Sequence, residues 1–176
     1  MKRILPLLCL TAAWASAQPL KLNFDHLASK AKESVDVSLD ANMLKLAGNF
    51  LSGRKGHEAD AKKLIADLKG VFVRSFTFAK PGEYSDGDVE PVRKQLTAAA
   101  GWSRIVNVKE KDATTEVYTR AEGGNVAGLA VIAAEQKELT IVYIDGPIDI
   151  GRLADLGGQF GIPKVKIPGA EKKGSK

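Results

Sequence analysis

Between residues 102 and 146 the chain holds four apolar, β-branched segments, "WSRIVNVKE", "TTEVYTRA", "VAGLAVIAAE" and "ELTIVYIDG", with only short links between them. A parallel crossover needs a dozen or more residues, so links this short leave only antiparallel pairing and predict a meander. Gly123-Gly124 is a hairpin turn signal, and Gln136-Lys137 marks a second tight turn. Alternation puts Ala127, Leu129, Val131 and Ala133 on one face of the third segment and Val126, Ala130, Ile132 and Ala134 on the other. A strand apolar on both faces belongs in the middle of a sheet, and the mixed "TTEVYTRA" nearer an edge.

Helical periodicity dominates upstream. Phe24, Leu27, Ala28 and Ala31 make a short amphipathic helix behind an Asn23 cap, and "ESVDVSLD" then interrupts the pattern. Asp40 caps a second helix with Met43, Leu44, Ala47, Phe50 and Leu51 on its apolar stripe, stopped by Gly53. A third, over residues 58–69, turns Ala61, Leu64, Ile65 and Leu68 inward. "VFVRSFTF" is the first strand, and Ser85 or Asp88 caps a fourth helix that buries Val89, Val92 and Leu96, with Pro91 expected in its first turn. Asp149 caps a last helix over residues 150–156, ended by Gly157-Gly158. The whole reads as a single α+β domain over residues 18–163, a largely antiparallel sheet of about five strands with helices packed on it.

The chain begins "MKRILPLLCLTAAWASAQ": two cations, an apolar run over residues 4–14, then Ala15-Ser16-Ala17. That is the pattern of a secretory leader cleaved between Ala17 and Gln18, so the expected destination is the periplasm or the exterior. Its apolar run falls short of the roughly 20 residues needed to span a bilayer, and no transmembrane segment is expected elsewhere. The single cysteine, Cys9, lies in this leader, so the mature chain would carry no thiol and no disulfide.

The formal charge of +5 comes from the two ends. The tail over residues 164–176, expected to be disordered, carries five lysines against Glu171, whereas residues 18–163 carry 19 basic and 20 acidic side chains. A body so nearly neutral, behind an export leader, argues against a nucleic-acid partner. The basic tail could contact an anionic envelope surface weakly.

Several motifs touch on chemistry. Residues 146–153, "GPIDIGRL", follow a strand as a phosphate-binding loop does, but Arg152 stands for the lysine, Leu153 for the hydroxyl, and Pro147 removes an amide. No nucleotide is expected there, and the glycines of "LGGQFGIP" read as a helix C-cap. Two S-x-x-K matches, Ser29 to Lys32 and Ser52 to Lys55, lack the companion elements of penicillin-recognising enzymes. His26 and His57 are the only histidines and are not spaced as metal ligands. Asp86, Asp88 and Glu90 suit the positive end of a helix dipole better than a calcium loop. Phe72, Phe76, Phe78, Trp102, Tyr118 and Tyr143 fall on strands, where they serve a core or line a groove for an apolar ligand. No residue is assigned to catalysis, to a cofactor or to a metal.

"GVFVRSFTF", "GEYSDGDVEPVRKQL", "GWSRIVNVKEK", "EVYTRAEGGNVAGLAVIAAEQKELTIVYIDGPIDI" and "LADLGGQFGIP" together resemble the bacterial family catalogued as domain of unknown function 4252. The resemblance implies a small exported or envelope-associated protein and assigns no reaction. The expected function is thus a non-enzymatic exported envelope protein that binds a protein partner or an apolar ligand. The alternative is a hydrolase or transferase acting on cell-envelope material.

Overall fold

The strict alternation in "SVDVSLD" makes a strand, not an interruption. This strand, β1 (Glu33–Asp40), turns Val35, Val37 and Leu39 to one side and Ser34, Asp36 and Ser38 to the other. The computed structural model describes residues 20–50, 62–63, 65–98 and 101–148. In it β1 joins β2 (Gly70–Thr77), β3 (Trp102–Lys109), β4 (Ala113–Glu122), β5 (Asn125–Glu135) and β6 (Glu138–Asp145). They form one antiparallel sheet in the order β1-β2-β6-β5-β4-β3. The sheet has six strands where about five were expected. Six of the eight residues of β1 are exposed, so its polar composition hides the period of two that defines it.

The meander from β3 to β6 forms as expected, and β5 and β6 share the centre of the sheet. β4 lies one strand in from the edge strand β3. Gly123 and Gly124 turn the β4–β5 hairpin at φ +58° and +83°, the two positive values that a tight two-residue turn requires. Beyond them the register shifts, because Gly128 faces Arg120 while Val126 faces Ala121. Val126 therefore packs with Leu129 and Val131, not with Ala130 and Ile132 as simple alternation has it.

Among the described residues the sheet is accompanied by α1 (Asp25–Ala28), α2 (Ala41–Phe50) and α3 (Asp86–Ala98). The first is a single turn whose N-cap position is Phe24, although Asn23 still accepts a 3.3 Å hydrogen bond from the Asp25 amide. Asp40 caps α2 as expected, accepting from the amides of Asn42 and Met43 at 2.9 and 2.8 Å. Among the described side chains of α2 Leu44 and Gly48 are buried, whereas Met43, at 51 %, and Ala47 of the expected stripe are exposed; Phe50 and Leu51 lie outside the side chains described. α3 buries Val89, Val92 and Leu96. At its start the Asp88 carboxylate reaches back to the Ser85 amide at 2.8 Å, which makes Pro91 the sixth helical residue and places it beyond the first turn. Residues 62–63 and 65–66 are helical and lead into β2.

α1 and α3 cover one face of the sheet, completing a core of Phe24, Leu27, Phe76, Val92, Ile132, Ile141 and their neighbours. Leu44, Ile65, Leu68 and Ile148 pack against the other. Between β2 and β3 the chain carries α3 across the first face to the opposite edge of the sheet. Among the described residues no helix is long and apolar enough to cross a membrane. The leader, the last helix and the basic tail read from the sequence lie outside the described residues.

Candidate functional site

Alternation along six paired strands sorts the side chains into two unlike surfaces. The face beneath α1 and α3 carries the aromatic and ionic residues. Phe72 stacks on Tyr143 at 5.6 Å and Phe78 on Tyr84 at 5.1 Å, while Trp102 tilts against Tyr143 at 6.0 Å and Phe24 against Phe76 at 5.9 Å. These aromatics thus pack in the core between sheet and helices.

The ions on that face are consumed in holding elements together. The Glu116 side chain, 5 % exposed, accepts from Arg93 Nε of α3 at 2.7 Å and from Arg104 Nη1 of β3 at 2.9 Å. Arg93 also reaches Asp86 at 3.2 Å. A buried carboxylate needs such partners, and here they clasp the helix to the sheet. Arg120 pairs with Asp145 at 2.7 Å, donates to the Ala127 carbonyl at 2.8 Å and lies 5.9 Å from the centre of the Trp102 ring. Gly128 makes room for this group, since a Cβ there would sit 3.2 Å from the Trp102 ring and 3.3 Å from Arg120.

The residues singled out from sequence behave structurally. Asp88 binds His26 Nε2 at 2.9 Å and Ser85, so the acidic group at the start of α3 is a helix cap. Partial burial works against its charged form, but hydrogen bonds from the Ser85 amide, His26 and the Ser85 hydroxyl outweigh it and hold the carboxyl below the usual range. Ser29 Oγ donates to the His26 carbonyl, and the Lys32 amide donates to Thr77. Ser52 and Lys55 lie outside the described residues, as does His57.

The glycine-rich turn after β6 has its own account. The amides of Gly146 and Ile148 donate to Ala127 and Val126 at 3.0 and 2.9 Å, so donors that would wrap a phosphate are bound to β5. Of the loop-like stretch, residues 149–153 lie outside the described residues.

The described surface carries recesses of mixed lining. One, of about 340 Å³, is rimmed by Tyr84, Asp86, Lys109, Lys111, Asp112 and Gln136, a mixture of both signs. Another, of about 40 Å³, lies between Phe24, Phe76 and Arg74. Tyr84 beside the first donates to the carbonyls of Glu135 and Glu138, pinning the β5–β6 turn.

Burial, aided by Asp86 and Glu135, pushes the Tyr84 hydroxyl up to about 12. Burial likewise raises Tyr118, with Glu116 adding to it, and Tyr143, with Asp145 adding to it. These are the only three tyrosines. An unfolded tyrosine ionises near 10, so the stability held in the proton is complete below about 10 and is lost as pH rises through the folded value. A spectrophotometric titration of the folded protein is expected to show its tyrosinate steps displaced above those in guanidinium, with the Tyr84 step near pH 12. A folded-state step of three tyrosines near 10 would remove this account of their packing.

The second face is a different surface. Directly paired residues form a row of valines through all six strands: Val37, Val73, Val142, Val131, Val117 and Val106. Above it runs Leu39, Val71, Ile144, Leu129, Thr119 and Ser103; below it Val35, Ser75, Thr140, Ala133, Thr115 and Val108. None of these eighteen residues is charged; the next row of the face, at its lower margin, carries Glu33, Thr77 and Glu138, with Glu135 on β5. The upper row packs with Leu44, Ile65, Leu68 and Ile148. In the valine row Val117 and Val142 are buried while Val37, Val73, Val131 and Val106 are half-buried, and Val35 and Val108 at the lower corners are 42 % and 40 % exposed. Sequence reasoning missed this face because β1 was not read as a strand, although the spacing of Val35, Val37 and Leu39 signals it.

No curated protein and no solved structure matches the chain. The model of a family described as Domain of unknown function (DUF4252) matches residues 28–156, which takes in all six strands, and the chain belongs to that family.

Proposed function

We propose that this is a non-enzymatic exported protein that binds a protein partner on the uncharged face of its sheet. The observation that carries the reading is the three-row aliphatic and hydroxyl surface, on which eighteen paired positions hold no charge. A broad face of this kind matches the flat apolar centre of a protein interface, whereas a small apolar ligand needs a concave apolar pocket. The two recesses described above carry charged residues in their linings. On the opposite face the carboxylates of Glu116, Asp145 and Asp88 are each bonded to a cation or a histidine. That arrangement supports a structural role for them over hydrolysis or group transfer on envelope material.

Export rests on the leader ending Ala15-Ser16-Ala17, which delivers a mature chain beginning at Gln18 to the periplasm or the exterior. The lysines of residues 164–176 add weak attraction to an anionic envelope surface.

A photo-crosslinking residue placed at Thr115 or Ala133, both half-buried on the uncharged face, tests the partner in the native host. Illumination is expected to join the protein to a discrete second protein, identified by mass spectrometry. The same residue at Lys94, exposed on α3, should not. Equal adducts at Lys94 and Thr115, or none at either face position, would reject the reading.

A further inference from the structure

The two edges of the sheet match each other in direction, shape and charge. Because all six strands alternate, β1 and β3 run in opposite senses at opposite edges. A second copy in the same orientation therefore brings its β1 antiparallel to β3 of the first, with the uncharged faces on the same side. Both edge strands are eight residues long and most of their residues are exposed. Among the described residues neither has a strand on its outer side. Natural sheets usually blunt such edges with short strands, proline or inward charges, since unpaired backbone groups recruit another strand.

We propose that copies of this chain associate head to tail, β1 of one adding to β3 of the next. The valine row supplies the register. It ends at Val37 on one edge and Val106 on the other, and setting these two opposite each other carries the row unbroken from copy to copy. The same register sets Val35 against Val108, which are 42 % and 40 % exposed in the single chain. It also sets Asp36 opposite Asn107, with Arg104 and Lys109 on either side on the ionic face. Ile105, the residue left out of the β3–β4 register, is 50 % exposed at this edge and gains cover.

Charge decides between this arrangement and like edges meeting. β1 carries Glu33, Asp36 and Asp40 and no cation, Asp36 being bound by Arg74 of β2 and Asp40 capping α2, while β3 carries Arg104, bound by Glu116 of β4, and Lys109, and no carboxylate. Pairing β1 with β1 gathers carboxylates and pairing β3 with β3 gathers cations, whereas β1 with β3 sets opposite signs together. A contact between two different surfaces does not close on itself in a straight sheet and extends into a chain of copies. This inference concerns the edges and stands whether or not the face binds another protein.

The full chain carrying Cys9→Ser, which removes the only cysteine, is the background for the test. Val35→Cys and Val108→Cys together, treated with a short bis-maleimide, are expected to give a ladder of dimers, trimers and longer species. A mixture of the two single variants should give dimers and nothing larger, and each single variant alone should stay monomeric. Circular dichroism verifies that the variants fold, and Ser34→Cys with Lys109→Cys, both at exposed positions, reports the same contact should the valine positions not tolerate cysteine. Absence of a ladder from both pairs up to the solubility limit overturns the proposal. So does a dimer from Val35→Cys alone, which would mean β1 meeting β1.

Discussion

Ile132→Asp is expected to unfold the protein or to remove most of its stability. Ile132 lies on β5, one of the two central strands, under the core closed by α1 and α3, and is 0 % exposed. A carboxylate there would stand opposite Glu116, whose bonds to Arg93 and Arg104 are already made, and burying one costs several kcal/mol even after it takes up a proton. That is comparable with the roughly 5 to 15 kcal/mol that holds a typical domain together. The neighbouring Val131→Asp should cost less, because Val131 faces the uncharged side and is half-buried. Thr115→Asp, also half-buried on that side but one strand nearer the edge, should cost less again. Urea unfolding of the three variants followed by circular dichroism ranks them. A parental midpoint for Ile132→Asp would mean that the faces of β5 have been assigned the wrong way round.

Gly146→Ala is expected to lose about 3 kcal/mol or more, from two causes that add. The residue sits at φ +129°, a conformation that a side chain resists. A Cβ would also lie 2.8 Å from Leu68 Cα, 3.0 Å from the Lys69 nitrogen and 3.1 Å from the Asp67 oxygen. These are backbone atoms, so no side chain can swing aside to relieve the clash. Gly87→Ala is the control. It sits in the first turn of α3 with only Ser85 Oγ, at 3.4 Å, near its added carbon, and should be neutral or stabilising by about 0.5 kcal/mol. Thermal melts of both read the contrast, and equal melting temperatures would show that the turn after β6 does not press on the segment before β2.

The meander was legible because its signals are local: links of two or three residues, a Gly-Gly turn, and apolar alternation long enough to stand out. The Asp40 cap and the buried side of α3 were legible for the same reason. What escaped depends on partners distant in sequence. β1 shows its period of two only to a reader willing to discount its carboxylates, and Asp36 is tolerable there because Arg74 of β2 binds it at 2.6 Å. Pro91 was expected one turn too early because Asp88, which also binds His26 of α1, moves the helix start to Asp86. The clasp of Arg93, Glu116 and Arg104 joins three elements and has no signature in any one of them. Neither does the six-valine row, which exists only once the order of the strands is known.

The path of α3 across the sheet has an entropic consequence. It splits the sequence into β1–β2 and the β3–β6 meander, and the two meet only where β2 pairs with β6. Residues joined there are separated by 61 positions at Thr77 and Glu138 and by 75 at Gly70 and Asp145. Each doubling of a closed loop costs about 0.6 kcal/mol, so this seam costs roughly 3 kcal/mol more to close than a two-residue hairpin. Large side chains gather across it: Phe72 stacks on Tyr143, Phe76 faces Leu139 and Val73 faces Val142. The most demanding junction in the chain's topology is thus also among its most apolar, and the core beneath α1 is built where the loop entropy must be overcome.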